Sequence, residues 1–158
     1  DGFAHTAETL TGYSYGARDR RALRTASVYC AWWAFALALF TAIVFYLTGP
    51  MLIDTFTLSS EVRAFAYDYI PWLALAPLFC TWAFLFDGIF IGTTHIIEMR
   101  NAMLISALLW ALLLWLIFPS YQYHAVWLAM NAFMLLRGIL LGLAYPRIER
   151  AIRPAAAT

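Results

Sequence analysis

Four long apolar runs dominate the chain, over residues 25–48, 71–94, 101–118 and 124–145. Crossing a bilayer takes about 20 residues at ~1.5 Å each, so each run is predicted to span a membrane as a helix. Between them lie short polar or basic stretches that place each helix antiparallel to the one before. Residues 1–17 are read as the end of one further helix. The chain opens at Asp1 with no initiator Met or signal peptide, so it is read as a fragment of a longer protein. The expected fold is all-α: a polytopic transmembrane bundle of four full spans preceded by the end of a truncated helix.

Proline and glycine set the expected boundaries. Gly49-Pro50 is predicted to stop the first full span, and residues 50–61 to form an outer loop. Glu61 to Ile70 has an amphipathic pattern suited to the outer interface, with Tyr67, Tyr69 and Trp72 at headgroup level. Pro71 and Pro77 should kink or tighten the next helix. Pro119 to Tyr123 is predicted to be a short outer turn, and Pro146 to end the last span ahead of a cytoplasmic tail over 146–158.

Charge orients these elements. Every basic residue apart from the histidines is Arg. Arg18, Arg20, Arg21, Arg24, Arg100, Arg147, Arg150 and Arg153 fall in segments that alternation assigns to one side, leaving Arg63 opposite and Arg137 inside a span. The positive-inside rule makes that side cytoplasmic. Composition agrees with the class: 64% hydrophobic, 12% charged and a mean hydropathy of +0.74 describe an integral membrane protein whose partner is the lipid bilayer. Nucleic acid is not an expected partner. Cys30 and Cys80 lie in apolar runs and read as free buried thiols. Metal-ligand spacings and phosphate-cradling glycine motifs are absent, so no cofactor is expected and direct use of ATP is not.

The candidate chemistry is a small set of polar residues at lipid depth. Asp87 lies roughly 10 Å from the cytoplasmic end of its helix and Arg137 roughly 12 Å from the same end of the last helix. Lone charges at such depth are costly, so a direct or water-bridged pair is one reading. Arg137 snorkelling to the headgroups, and Asp87 satisfied by backbone or hydroxyls, are the others. Asn131 shares the last helix. In the first segment Asp1, His5 and Glu8 recur at helical spacing on one face, while Ala4, Gly12 and Gly16 allow close helix packing. His95, Glu98 and Arg100 form a polar cluster at the cytoplasmic end.

DGFAHTAETLTG, the GARDRRALR junction, EVRAFAYDYIPWLALAPL and DGIFIGTT followed by EMRNAML together resemble the multidrug and toxin extrusion (MATE) transporters, DinF-like subfamily, over essentially the whole chain. The resemblance implies a twelve-helix, two-lobe fold, of which this chain would be the later part of the C-terminal lobe. It implies exchange of cationic or amphipathic compounds for protons or sodium by alternating access, with Asp87, Arg137, Asn131, Asp1 and Glu8 lining or bracing a cavity. The missing N-terminal lobe would then be a partner. Where the subfamily usually carries a basic residue, this chain has His95 followed by Ile96 and Ile97. The function expected is therefore export of drugs or metabolites by a secondary antiporter of the bacterial inner membrane. Rival readings are a lipid-precursor flippase of the same superfamily and a small non-transporting subunit of a membrane complex. An enzyme is not expected, since neither a DxxxD metal-diphosphate signature nor a nucleophile–base pair is evident.

Overall fold

The computed structural model describes residues 2–152 as six helices: α1 Gly2–Gly16, α2 Arg20–Phe56, α3 Ser60–Tyr67, α4 Ile70–Gly92, α5 Ile96–Tyr121 and α6 Tyr123–Ala151. Among the described residues there is no strand. α2, α4, α5 and α6 are each long and apolar enough to cross a membrane. Asp1 and Arg153, both named above, lie outside the described residues.

Three expected helix ends are corrected. α2 runs through Gly49-Pro50 to Phe56, α5 runs through Pro119 to Tyr121, and α6 runs through Pro146 to Ala151. The reason is an inequality of hydrogen bonds. A proline inside a helix removes one donor and crowds one carbonyl, whereas ending the helix orphans up to four carbonyls. Beyond each proline the backbone ladder resumes, so the interruption is confined to about one missing bond and continuing is the cheaper course. As a result α2 is ~55 Å long, well beyond the ~30 Å hydrocarbon core.

The projecting end of α2 is braced by α3. Arg63 Nε donates to the Thr57 carbonyl at 2.8 Å and lies 3.3 Å from Asp54 Oδ1, while Tyr67 donates its hydroxyl to the same carboxylate. That hydrogen bond to Asp54 pushes the Tyr67 hydroxyl above its ordinary pKa. Tyr69 stacks near His124 and Trp127, and Trp72 donates from Nε1 to His124 Nδ1 at 3.2 Å. These rings make an aromatic rim where α4 and α6 begin.

At the opposite end the reversals are tight. Asp19 caps α2 by accepting the Ala22 N–H at 2.9 Å, and Arg18 and Thr94 take left-handed φ of 56° and 61° at the α1–α2 and α4–α5 links. Arg20 at the start of α2 bonds Glu149 near the end of α6, and Tyr15 meets His95 edge to face. The helix ends bearing Arg18, Arg20, Arg21, Arg24, Arg100, Arg147 and Arg150 therefore gather at one end of the bundle, called the basic end below.

α4 is the hub. It packs against α1, α2 and α6, while α5 is held mainly by α6. Glycine makes two of these contacts very close. On the α1 side, a Cβ at Gly88 or Gly92 would collide with the Ala4 or Glu8 carbonyl, and one at Gly12 would come within 2.9 Å of the Gly92 oxygen. On the α6 side, a Cβ at Gly138 would meet Trp82 at 3.0 Å, and one at Gly142 would touch the Phe86 ring. Without a hydrophobic drive between helices in lipid, such close packing is what holds them. Ala4 and Gly12 thus serve the contact expected of them; Gly16 faces open space.

Candidate functional site

The two glycine seams decide where the buried charges go. Asp87 immediately precedes Gly88, and Arg137 immediately precedes Gly138. Gly138 and Gly142 draw α6 onto the Trp82–Phe86 turn of α4, so the side chains flanking that contact meet across it. Arg137 donates from an Nη2 to Asp87 Oδ2 at 2.7 Å, with only 11% of the arginine and 15% of the aspartate side chain exposed. Of the readings the sequence left open, the structure takes the direct pair.

The pair is incompletely satisfied. Asp87 Oδ1 and Arg137 Nε are both buried and have no hydrogen-bond partner. A bidentate arginine–carboxylate fork would use two nitrogens and both oxygens; here one arm is joined and one is open. A second unpartnered group, the Ser106 hydroxyl, is fully buried on α5. The other hydroxyls inside the bundle, Thr11, Ser14, Ser27 and Thr93, instead bond backwards to a carbonyl four residues earlier. Ser106 escaped the sequence reading because a serine in a Leu-rich run carries no spacing signal.

The remaining candidates stand apart from the pair. Asn131 is buried, but its Nδ2 donates to the Trp127 carbonyl at 3.0 Å within its own helix. Glu8 lies 3.5 Å from His5 Nδ1 on the exposed side of α1, and its backbone, not its carboxylate, packs on Gly92. His95, Glu98 and Arg100 share the basic end, yet no bond among the described residues joins the three. His95 Nδ1 lies 2.8 Å from the Thr93 carbonyl, and Arg100 makes long contacts of 3.3 and 3.4 Å to Asn101. Glu98 instead lines a hollow of about 300 Å³ between α5 and α6, opposite Arg147. No group of three or more metal-capable side chains occurs among the described residues.

Long apolar helices closed around a buried charge pair define a polytopic α-helical integral membrane protein. Comparison with known proteins supplies the family: the MatE family model matches residues 2–117, and the chain belongs to that family. The match bears out the resemblance read from the sequence, and it covers Asp87 but stops short of Arg137. The chain is similar to DNA damage-inducible protein F of Escherichia coli strain K12, 36% identical over 155 residues, covering 93% of this chain and 32% of that relative. The chain thus spans about a third of the length of the curated relative it matches. No solved structure gives a significant match.

Proposed function

We propose that this chain is part of the C-terminal lobe of a secondary active antiporter, which exports amphipathic or cationic small molecules in exchange for protons or sodium by alternating access. In this reading it acts with an N-terminal lobe, is not an enzyme, and sits in a bacterial inner membrane with its basic end and C-terminus in the cytoplasm. Membership of the MatE family supports the class.

The observation that carries the mechanism is the half-satisfied pair. Asp87 meets Arg137 through Oδ2 and leaves Oδ1 without a partner. A proton or sodium ion arriving at Oδ1 would weaken the hold of the carboxylate on Arg137, because the attraction depends on the full negative charge. Breaking or keeping that contact changes the relative energy of two packings of α4 against α6, which is what coupling between an ion and a conformation requires. Acidic groups buried in spans commonly serve such relays. Asn131 and Glu8, lacking contact with the pair, would at most line the path.

The test is Asp87→Asn in the intact protein, read as export of a fluorescent organic cation from everted vesicles alongside membrane abundance. Ion-driven export per molecule in the membrane should be lost; abundance should fall less than in Arg137→Ala, because the asparagine amide oxygen still accepts from Arg137. Wild-type export by the variant would refute the role of Asp87.

A further inference from the structure

α2 and α6 are joined at their basic ends, where the Tyr145 hydroxyl donates to Ser27 Oγ at 3.2 Å and Arg20 holds Glu149. Beyond that junction a cleft opens with α4 as its floor. Two hollows of about 190 and 310 Å³ share Val28, Ala31 and Trp82 as walls. The first begins at Arg24, beside Ser27 and Tyr145; the second continues along α2 to Phe35. Past the rim every wall is hydrocarbon or aromatic.

The dimensions and the charge identify an occupant. Phe35 is eleven residues beyond Arg24 on one helix, ~16 Å of rise. That is the depth of one leaflet, half of a ~30 Å hydrocarbon core. Arg24 takes part in none of the ion pairs among the described residues and is exposed, as is Arg21. A guanidinium at the rim suits a phosphate, which it can bind through two N–H donors. Basic pockets between membrane helices hold anionic headgroups in the same way.

We infer that this cleft is a binding site for an anionic phospholipid from the leaflet on the basic side. Its phosphate rests on Arg24 and one acyl chain lies along Val28, Ala31 and Trp82. Lipid in this position fills the gap between α2 and α6 and stiffens their junction. The site is separate from the Asp87–Arg137 pair and does not depend on the transport reading.

The experiment uses the intact protein in detergent, titrated with phosphatidylglycerol or with phosphatidylcholine of matching chains. Bound lipid is counted by native mass spectrometry, and thermal unfolding is followed in parallel. Phosphatidylglycerol should be retained several-fold better and raise the unfolding midpoint more. Arg24→Gln should remove most of that preference, and Arg24→Lys should keep part of it. Ala31→Phe, which plugs the cleft but leaves the arginine, should reduce retention of both lipids, so the chain half of the site is tested even if Arg24→Gln fails to accumulate. Equal retention of the two lipids by the wild type would overturn the proposal, as would a preference undiminished by Arg24→Gln. A photocrosslinker at residue 28 that captures another segment of the protein instead of lipid would also overturn it.

Discussion

Two ion pairs tie α6 to its neighbours with almost the same geometry: Arg137–Asp87 at 2.7 Å and Arg20–Glu149 at 2.8 Å. Distance does not distinguish them. The first lies inside the bundle at lipid depth with both side chains nearly out of solvent; in the second the Glu149 side chain is as sheltered, 12% exposed, but 59% of the arginine side chain is open to solvent at the basic end. Coulomb attraction at one separation grows several-fold as the surroundings become less polar, and so does the cost of leaving either charge alone. The inner pair is therefore a strong constraint on how α4 and α6 pack. The outer pair is a weak fastener.

The largest expected effect follows from that contrast. Arg137→Ala leaves Asp87 buried without its partner, and breaking a buried pair from one side costs about 3–5 kcal/mol. The intact protein should show a lowered unfolding midpoint in detergent and reduced membrane abundance. Replacing both partners, as in Asp87→Leu with Arg137→Met, should return most of the stability, since apolar side chains of similar volume are often as good as a buried pair. Export should stay absent. A double variant that remains as unstable as the single one would mean the site is held by shape rather than charge. One that exports normally would remove the pair from the mechanism.

The glycine seams come next. At Gly88 a side chain would run into the Ala4 carbonyl, backbone that cannot swing aside. Gly88→Leu should force α1 from α4 and cost about 1–3 kcal/mol or more, read as loss of a disulfide engineered between the two helices as well as in the unfolding midpoint. A Cβ at Gly16 would meet nothing within 4 Å, so Gly16→Leu is the matched control, expected near wild type. If the two variants behave alike, the close approach of α1 to α4 is not a determinant of stability.

How far these features could be read from the chain alone depends on the kind of physics involved. Spans are legible because hydrocarbon thickness sets a length and lipid demands apolar residues; the all-α architecture followed from that. Asp87 and Arg137 were visible as charges at matching depth, but depth is one coordinate. Whether they met was decided by Gly138 and Gly142, whose spacing of four in the sequence is the small-residue signature that the reading applied to α1 and did not apply to α6. Pro50, Pro119 and Pro146 misled because each removes only one donor, and the helix ladder resumes on its far side. Asn131 adds a different point, since its amide bonds the Trp127 carbonyl of its own helix. An amide that looks like a cavity ligand can be satisfied by its own helix, and only the rotamer reveals it.

The smallest effect belongs to the outer pair, and it sharpens the comparison most economically. Glu149→Gln removes the charge that Arg20 meets while keeping a hydrogen-bonding amide in its place. Exposed pairs contribute about 0–1 kcal/mol; the open Arg20 keeps this pair near that range and the sheltered Glu149 puts it at the upper end, so the unfolding midpoint should fall modestly. That small difference should shrink further between low salt and 1 M salt, where the Debye length drops to about 3 Å. Arg137→Ala should keep its full deficit across the same salt range, because ions do not reach the inner pair. If both variants respond to salt alike, water enters the bundle as far as Asp87, and the inner pair must be understood as a solvated cavity rather than a dry contact. If Glu149→Gln instead costs as much as Arg137→Ala, the junction of α2 and α6 at the basic end is the true anchor of the bundle. The helix ends, rather than the glycine-lined α4–α6 seam, would then set its stability.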